Sequence, residues 1–275
     1  MVPAYERKEV IVEVDKVCLN LGGNPILRDV SVQIRDVVRP GTIQGQIVGF
    51  LGPSGIGKTK LFELLSGLRE PTSGTIRIGS PLQPIRVGKV GVVQQNYPLF
   101  NHRTVMGNLL IAVHGEKSKT QALREETVRQ LLKRFGLWAQ RDQYPAQLSG
   151  GQRQRVAIAQ QLLGSETFLL LDEPFSGLDV NMVRELSNML VEIARQDELN
   201  TIIIVSHDIV STAAIADTLW VMGRDHAADG GIIPGAYIKH LYDLIERDLV
   251  WRENLQDDPR FVELVREVRG LFPTL

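Results

Sequence analysis

The sequence predicts an α/β fold built on a parallel sheet, and three observations carry that prediction. Residues 168–171 and 202–205 are continuous apolar runs separated by a helical pattern over 183–195, as expected for strands buried on both faces and joined by a crossover. Residues 46–51 form a third short apolar strand, which runs into a glycine-rich turn and then a helical stretch over 58–68. Apolar residues alternate at Val10, Val12 and Val14, and again at Val30, Val32 and Ile34. That alternation predicts half-buried antiparallel strands ahead of the parallel core.

The other elements follow in order. Strands are expected near 75–78 and 90–93. Over 120–135, Leu123, Val128, Leu131, Leu132 and Phe135 recur at helical spacing. Ser149 suits the N-cap of the next helix, and 219–222 reads as a further strand. Residues 223–235 are rich in glycine and short polar side chains, which predicts a loop with a hairpin near 231–233. Helical stretches are expected over 236–249 and 259–271. Residues 1–222 thus read as the main domain, with a helical subdomain at about 96–163, and 223–275 as an extension of one loop and two helices.

Composition sets outer limits. The chain has 275 residues, 43% hydrophobic and 23% charged, with a net charge of −1, so no global basic footprint points to nucleic acid. Cys18 is the single cysteine; it fits a reducing compartment and reads as a small residue on a buried strand. The first ten residues carry charges where a signal peptide needs an apolar stretch. The apolar runs are far short of the ~20 residues of a spanning helix. The expectation is a chain that docks onto a membrane protein rather than crossing the bilayer.

Gly52, Pro53, Ser54, Gly55, Ile56, Gly57, Lys58 and Thr59 match the phosphate-loop pattern between a strand and a helix, the mark of a P-loop NTPase core. The glycines let backbone N–H groups turn toward phosphate oxygens, and the helix N-terminus adds a favourable partial charge. Lys58 would reach the β- and γ-phosphates and Thr59 would coordinate Mg²⁺. Asp172 and Glu173 end an apolar strand where ligands of open α/β sheets collect. An Asp-Glu pair after a strand is by itself an ordinary solvated turn. Downstream of a phosphate loop, Asp172 is a Mg²⁺ ligand and Glu173 the group that polarises the attacking water. Ser206, His207 and Asp208 end the next strand the same way, which places His207 toward the γ-phosphate. Leu148, Ser149, Gly150, Gly151 and Gln152 form a second anion cradle, a capping serine and two glycines at a helix N-terminus.

Together these segments resemble the motif set of ABC (ATP-binding cassette) ATPase subunits, in that family's order and spacing: the phosphate loop, LSGGQRQR at 148–155, LLLDEP at 169–174, SGLD at 176–179 and the Ser-His-Asp segment. The stretch 92–100 is similar to the family's glutamine loop, with Gln95 as its glutamine. The resemblance implies an α/β P-loop NTPase core with a parallel sheet, an antiparallel β subdomain and a helical subdomain carrying the LSGGQ motif. It implies ATP and Mg²⁺ as ligands, Gln95 touching Mg²⁺ and the attacking water, and a head-to-tail dimer of cassettes. In that dimer Ser149, Gly150, Gly151 and Gln152 face the phosphate loop of the partner, and Asp179 lies across the interface. The implied partners are transmembrane permease subunits, a second cassette and a solute-binding protein; the implied place is the cytoplasmic face of the membrane.

The sequence also departs from the family. Leu21 stands where an aromatic residue usually stacks on adenine, which implies weaker discrimination among bases. The segment 35–46 is longer than usual and reads as an extended hairpin. Lys60 reads as a solvated first-turn side chain. Residues 248–252 and 258–264 resemble the tails of the nitrate, sulfonate and taurine importer class, and also fit a pair of amphipathic helices covering the core. The leading reading is the ATPase subunit of a small-solute importer. The alternative is a soluble ABC ATPase acting as an assembly scaffold. A cassette that binds without hydrolysing is disfavoured, since Glu173 and His207 are both present.

Overall fold

The computed structural model describes residues 5–38, 45–113, 120–164, 168–195, 201–250, 252 and 255–275. Its strands and helices are β1 Glu6–Leu21, β2 Asn24–Val38, β3 Gln46–Leu51, α1 Lys58–Leu65, β4 Ser73–Ile78, β5 Gln83–Pro84, β6 Gly91–Val93, α2 Val105–Val113, α3 Gln121–Arg134, α4 Gly150–Gly164, β7 Phe168–Asp172, α5 Val180–Ala194, β8 Thr201–Ser206, α6 Ile209–Ala213, β9 Thr218–Gly223, β10 Tyr237–Asp243 and α7 Pro259–Leu271. They build two sheets, an antiparallel one in the order β2-β1-β4-β5 and a larger one in the order β10-β9-β3-β8-β7-β6. In the larger sheet β9, β3, β8, β7 and β6 run parallel, and β10 closes one edge antiparallel to β9.

The continuous apolar runs have a simple cause. Successive side chains of a strand point to opposite faces, and here each face meets a different core. Ile47, Leu51, Leu169, Leu171, Ile202 and Ile204 join the core shared with α2 to α7. Val48, Phe50, Leu170, Ile203, Val205 and Trp220 join the core beneath the antiparallel sheet and α1. Phe50 and Trp220 meet edge to face, with ring centroids 4.6 Å apart. Among the described residues no helix is long and apolar enough to cross a membrane.

Most predicted elements hold, and one does not. Instead of a helix over 236–249 there is strand β10, followed by turns. Ile238, Leu241 and Ile245 recur at a helical interval, yet Leu241 is 59% exposed. The competing demand is the free edge of β9, whose backbone groups take β10 as partner. The expected hairpin near 231–233 reduces to one bridge between His226 and Ile232. Helix α1 stops at Leu65 rather than residue 68 because Gly67, at φ +72, ends it with its N–H on the Leu64 carbonyl. Cys18 is half-buried, its sulfur accepting from the Asp29 N–H. Lys60 pairs with Glu63, which Arg69 also holds. The extended turn of segment 35–46 falls at 39–44, outside the described residues; on its near side β1 and β2 pair as far as Glu6 and Val38.

Helix α6 packs against β3 at Gly49, where an added Cβ would lie 2.5 Å from Thr212 Cγ2 and 2.8 Å from Leu219 Cδ2. Gly49→Ala should therefore overpack the strand that carries the following loop and cost about 1–3 kcal/mol. Urea unfolding of parent and variant measures this; an unchanged midpoint would show that the helix yields freely.

Candidate functional site

The site assembles where β3, β7 and β8 end. All of β3 is buried, so the chain must turn as it leaves the sheet, and residues 52–57 make that turn before α1. Gly57 caps α1 at φ +114, a conformation open mainly to glycine, and a Cβ there would press on Leu27 at 3.3 Å. No side chain caps α1, which leaves the first N–H groups of the helix without an intrahelical partner. Lys58, 7% exposed, donates from Nζ to the carbonyls of Gly52 at 2.9 Å and Pro53 at 3.2 Å. Burial pulls its pKa down, and the nearby charge of Glu173, 3.6 Å away, opposes that pull.

Asp172 and Glu173 follow the last buried residues of β7. Burial raises the Asp172 pKa, the charge of Glu173 adds to the rise and Lys58 offsets part of it. Its Oδ1 is buried and has no hydrogen-bond partner. Thr59, Gln95 and Asp172 line one cleft of about 440 Å³ with Glu63, Gln94 and Asn96. An orphaned carboxylate oxygen beside a hydroxyl and an amide is a donor set of hard oxygens that fits Mg²⁺.

Glu173 has a left-handed backbone, φ +48, unusual outside glycine. Its N–H donates to the Val205 carbonyl of β8 at 2.8 Å. Its Oε2 accepts from the Ser206 hydroxyl at 3.1 Å and the His207 N–H at 3.2 Å, and meets His207 Nδ1 at 2.8 Å. The structure thus brings Lys58, Glu173 and His207 together. Ser206, 1% exposed, was read only as part of a strand end. Its hydroxyl also accepts from the Asp208 N–H at 3.0 Å, so one serine ties Glu173 to the start of α6. The signal in the sequence was its place before His207.

Gln95 donates from Nε2 to the Ser176 hydroxyl at 3.4 Å. Ser149 and Gln152 form a reciprocal cap on α4: Gln152 N–H to Ser149 Oγ at 3.2 Å, and Ser149 N–H to Gln152 Oε1 at 2.9 Å. Gly151 lies near Met182, and Asp179 caps α5 on the Met182 N–H at 2.9 Å. None of the described hydrogen bonds joins Ser149, Gly150, Gly151, Gln152 or Asp179 to the loop at 52–59. Leu21 ends β1 and is partly buried on the second core; the residues of that hairpin nearest Gly57 are Ile26 and Leu27. Sequence reasoning did not single out Arg224, whose Nη2 donates to the Gly55 carbonyl at 3.1 Å.

A loop of backbone donors at a helix N-terminus, a dehydrated ammonium and a cation-ready carboxylate can hold a phosphate chain. A second carboxylate on a serine and a histidine can orient a water. The family model for the ABC transporter matches residues 40–176. The sulfate/thiosulfate import ATP-binding protein CysA 2 of Rhizobium meliloti is 37% identical over 219 residues, 78% of this chain and 57% of that protein. The chain thus spans little more than half of that relative's length. The arginine transport ATP-binding protein ArtM of Bacillus subtilis is 32% identical over 228 residues, 80% of this chain and 91% of ArtM. Among solved structures, cbiO1 of Clostridium perfringens, described as part of the ABC transporter complex cbiONQ, superposes with a TM-score of 0.71 at 26% identity, covering 97% of both chains. With the loop, the carboxylates and the capped α4 falling in the order the family requires, this chain belongs to the ABC transporter family.

Proposed function

We propose that the chain is the ATP-binding and ATP-hydrolysing subunit of a solute importer, acting at the cytoplasmic face of a membrane with a second cassette and separate transmembrane subunits. The observation that carries this reading is the meeting of Lys58, Asp172 and the Glu173–His207 pair at one end of the sheet. A relative named for sulfate/thiosulfate import supports the direction of movement, and one named for arginine transport supports the transporter reading.

The N–H groups of 54–59 and the Lys58 ammonium bind the phosphate chain of ATP. Thr59 and Asp172 hold Mg²⁺, with Gln95 in the same cleft; when bound, the ion neutralises charge on the terminal phosphates. Glu173 orients the attacking water and takes its proton at Oε1, which faces Lys58 Nζ at 3.6 Å, while Oε2 accepts from Ser206 and meets His207. His207, half-exposed, turns toward the terminal phosphate. Ser149, Gly150, Gly151 and Gln152 serve the nucleotide of the partner cassette, Asp179 lies at that interface, and Leu21 flanks the base.

Three measurements test this. Glu173→Gln should cut ATP hydrolysis at least about 100-fold while ATP binding persists; an undiminished rate would remove Glu173 from its role. The second test concerns charge. Asp172 titrates above the ordinary carboxylate range, so between its unfolded and folded values the native state holds the extra proton, and stability falls as pH rises through that window. Asp172→Asn abolishes that fall. Without Mg²⁺ the variant should melt above the parent at neutral pH, roughly 2–4 °C for each kcal/mol regained, and the gap should close in acid. A gap independent of pH would point away from the carboxylate charge. Third, affinity recovery of the tagged chain from solubilised membranes should bring down a multi-span protein in stoichiometric amount. A soluble complex alone would favour the scaffold reading instead.

A further inference from the structure

The carbonyl of Pro174, one residue past Glu173, collects two hydrogen bonds from outside its own loop. Gln154, one turn into α4 and 1% exposed, donates from Nε2 at 2.7 Å. Tyr97, two residues past Gln95 and itself at φ +46, donates from its hydroxyl at 3.5 Å. None of the motif chemistry uses Gln154, yet a buried amide spent on one backbone oxygen fixes that oxygen in place.

What it fixes matters because of Glu173. A left-handed backbone at a residue with a Cβ persists only where its surroundings hold it. On one side the Glu173 N–H is tied to Val205 in β8. On the other, the remaining bonds of the turn are long: Ser176 N–H to the Glu173 carbonyl at 3.2 Å, and Gln95 to the Ser176 hydroxyl at 3.4 Å. The Gln154 amide is the short tether on that side.

We infer that Gln154 is a positioning residue for Glu173: through the Pro174 carbonyl it holds the turn that keeps the Glu173 carboxylate on Ser206 and His207. Gln154 shares α4 with the capped segment at Ser149 and Gln152. A shift of that helix end is therefore passed to Glu173 through the Gln154 side chain, and hydrolysis responds to what engages the cap. This inference rests on the hydrolytic reading above.

The test is steady-state hydrolysis by the full chain with Gln154→Met, which keeps the length of the side chain and removes the donor. The rate constant kcat should fall about tenfold, with KM for Mg-ATP and nucleotide affinity within about twofold of the parent. In a Glu173→Gln background the same change should cost nothing further, because the group it positions is gone. A residue that only supports the helix would lower the melting point and weaken nucleotide binding along with kcat, and that pattern would overturn the inference. If the parent hydrolyses ATP and Gln154→Met matches its kcat, this inference alone fails. If the parent does not hydrolyse ATP, the reading beneath it fails as well. Should Gln154→Met not fold, Tyr97→Phe removes the weaker bond to the same carbonyl. It should lower kcat about threefold with KM unchanged, and an unchanged kcat would overturn the inference.

Discussion

Every residue of β3 and β8 is buried, and a sheet covered on both faces reaches solvent only where its strands end. That constraint organises the molecule. Between them, the two cores occupy both surfaces of the sheet, so polar side chains are admitted at the carboxyl ends of β3, β7 and β8. Lys58, Asp172, Glu173, Ser206 and His207 all lie within a residue or two of those ends, or at the close of the loop that leaves β3. Parallel strands deliver these ends side by side, which an antiparallel sheet would have scattered to opposite edges.

The charges gathered there are not a device for stability. An ion pair at about 4 Å gains about 4 kcal/mol in a medium of effective dielectric ~20, while taking each ion out of water costs several kcal/mol. Burial outweighs the attraction, and the directions of titration show it: Lys58 is pulled down and Asp172 pushed up, burial being the larger cause in both. Groups held away from their ordinary titration, in a cleft, are what a charged ligand relieves. The site is therefore poised in favour of binding.

The sequence disclosed what depends on residue type and local spacing. The buried strands were legible because two-sided burial leaves no polar residue within 168–171 or 202–205. The phosphate loop was legible because its chemistry demands glycines, a lysine and a hydroxyl in fixed order, and the start of α4 because Ser149 is a capping residue; that Gln152 returns the bond came from the structure. What stayed hidden runs through the backbone or across long separations. The acceptor for Gln154 is a carbonyl, which any residue supplies, and the left-handed turn at Glu173 is imposed by β8 and α4 rather than by its own side chain. Strand β10 was misread because the spacing of Ile238, Leu241 and Ile245 suits a helix, and the unpaired edge of β9 has no mark in the local sequence.

That edge has a further consequence for how the chain survives its own synthesis. Strand β9 is Thr-Leu-Trp-Val-Met-Gly, almost wholly apolar, and left bare it would be a template for pairing with other nascent chains. Strand β10 covers it, and two of its charged side chains are held in place, Asp243 by Arg7 and Lys239 by the Arg224 carbonyl. The opposite border, β6, is three residues long and too short to recruit a neighbour. Until residues 237–243 have left the ribosome the sheet has an open, greasy margin, which makes this stretch a guard against aggregation.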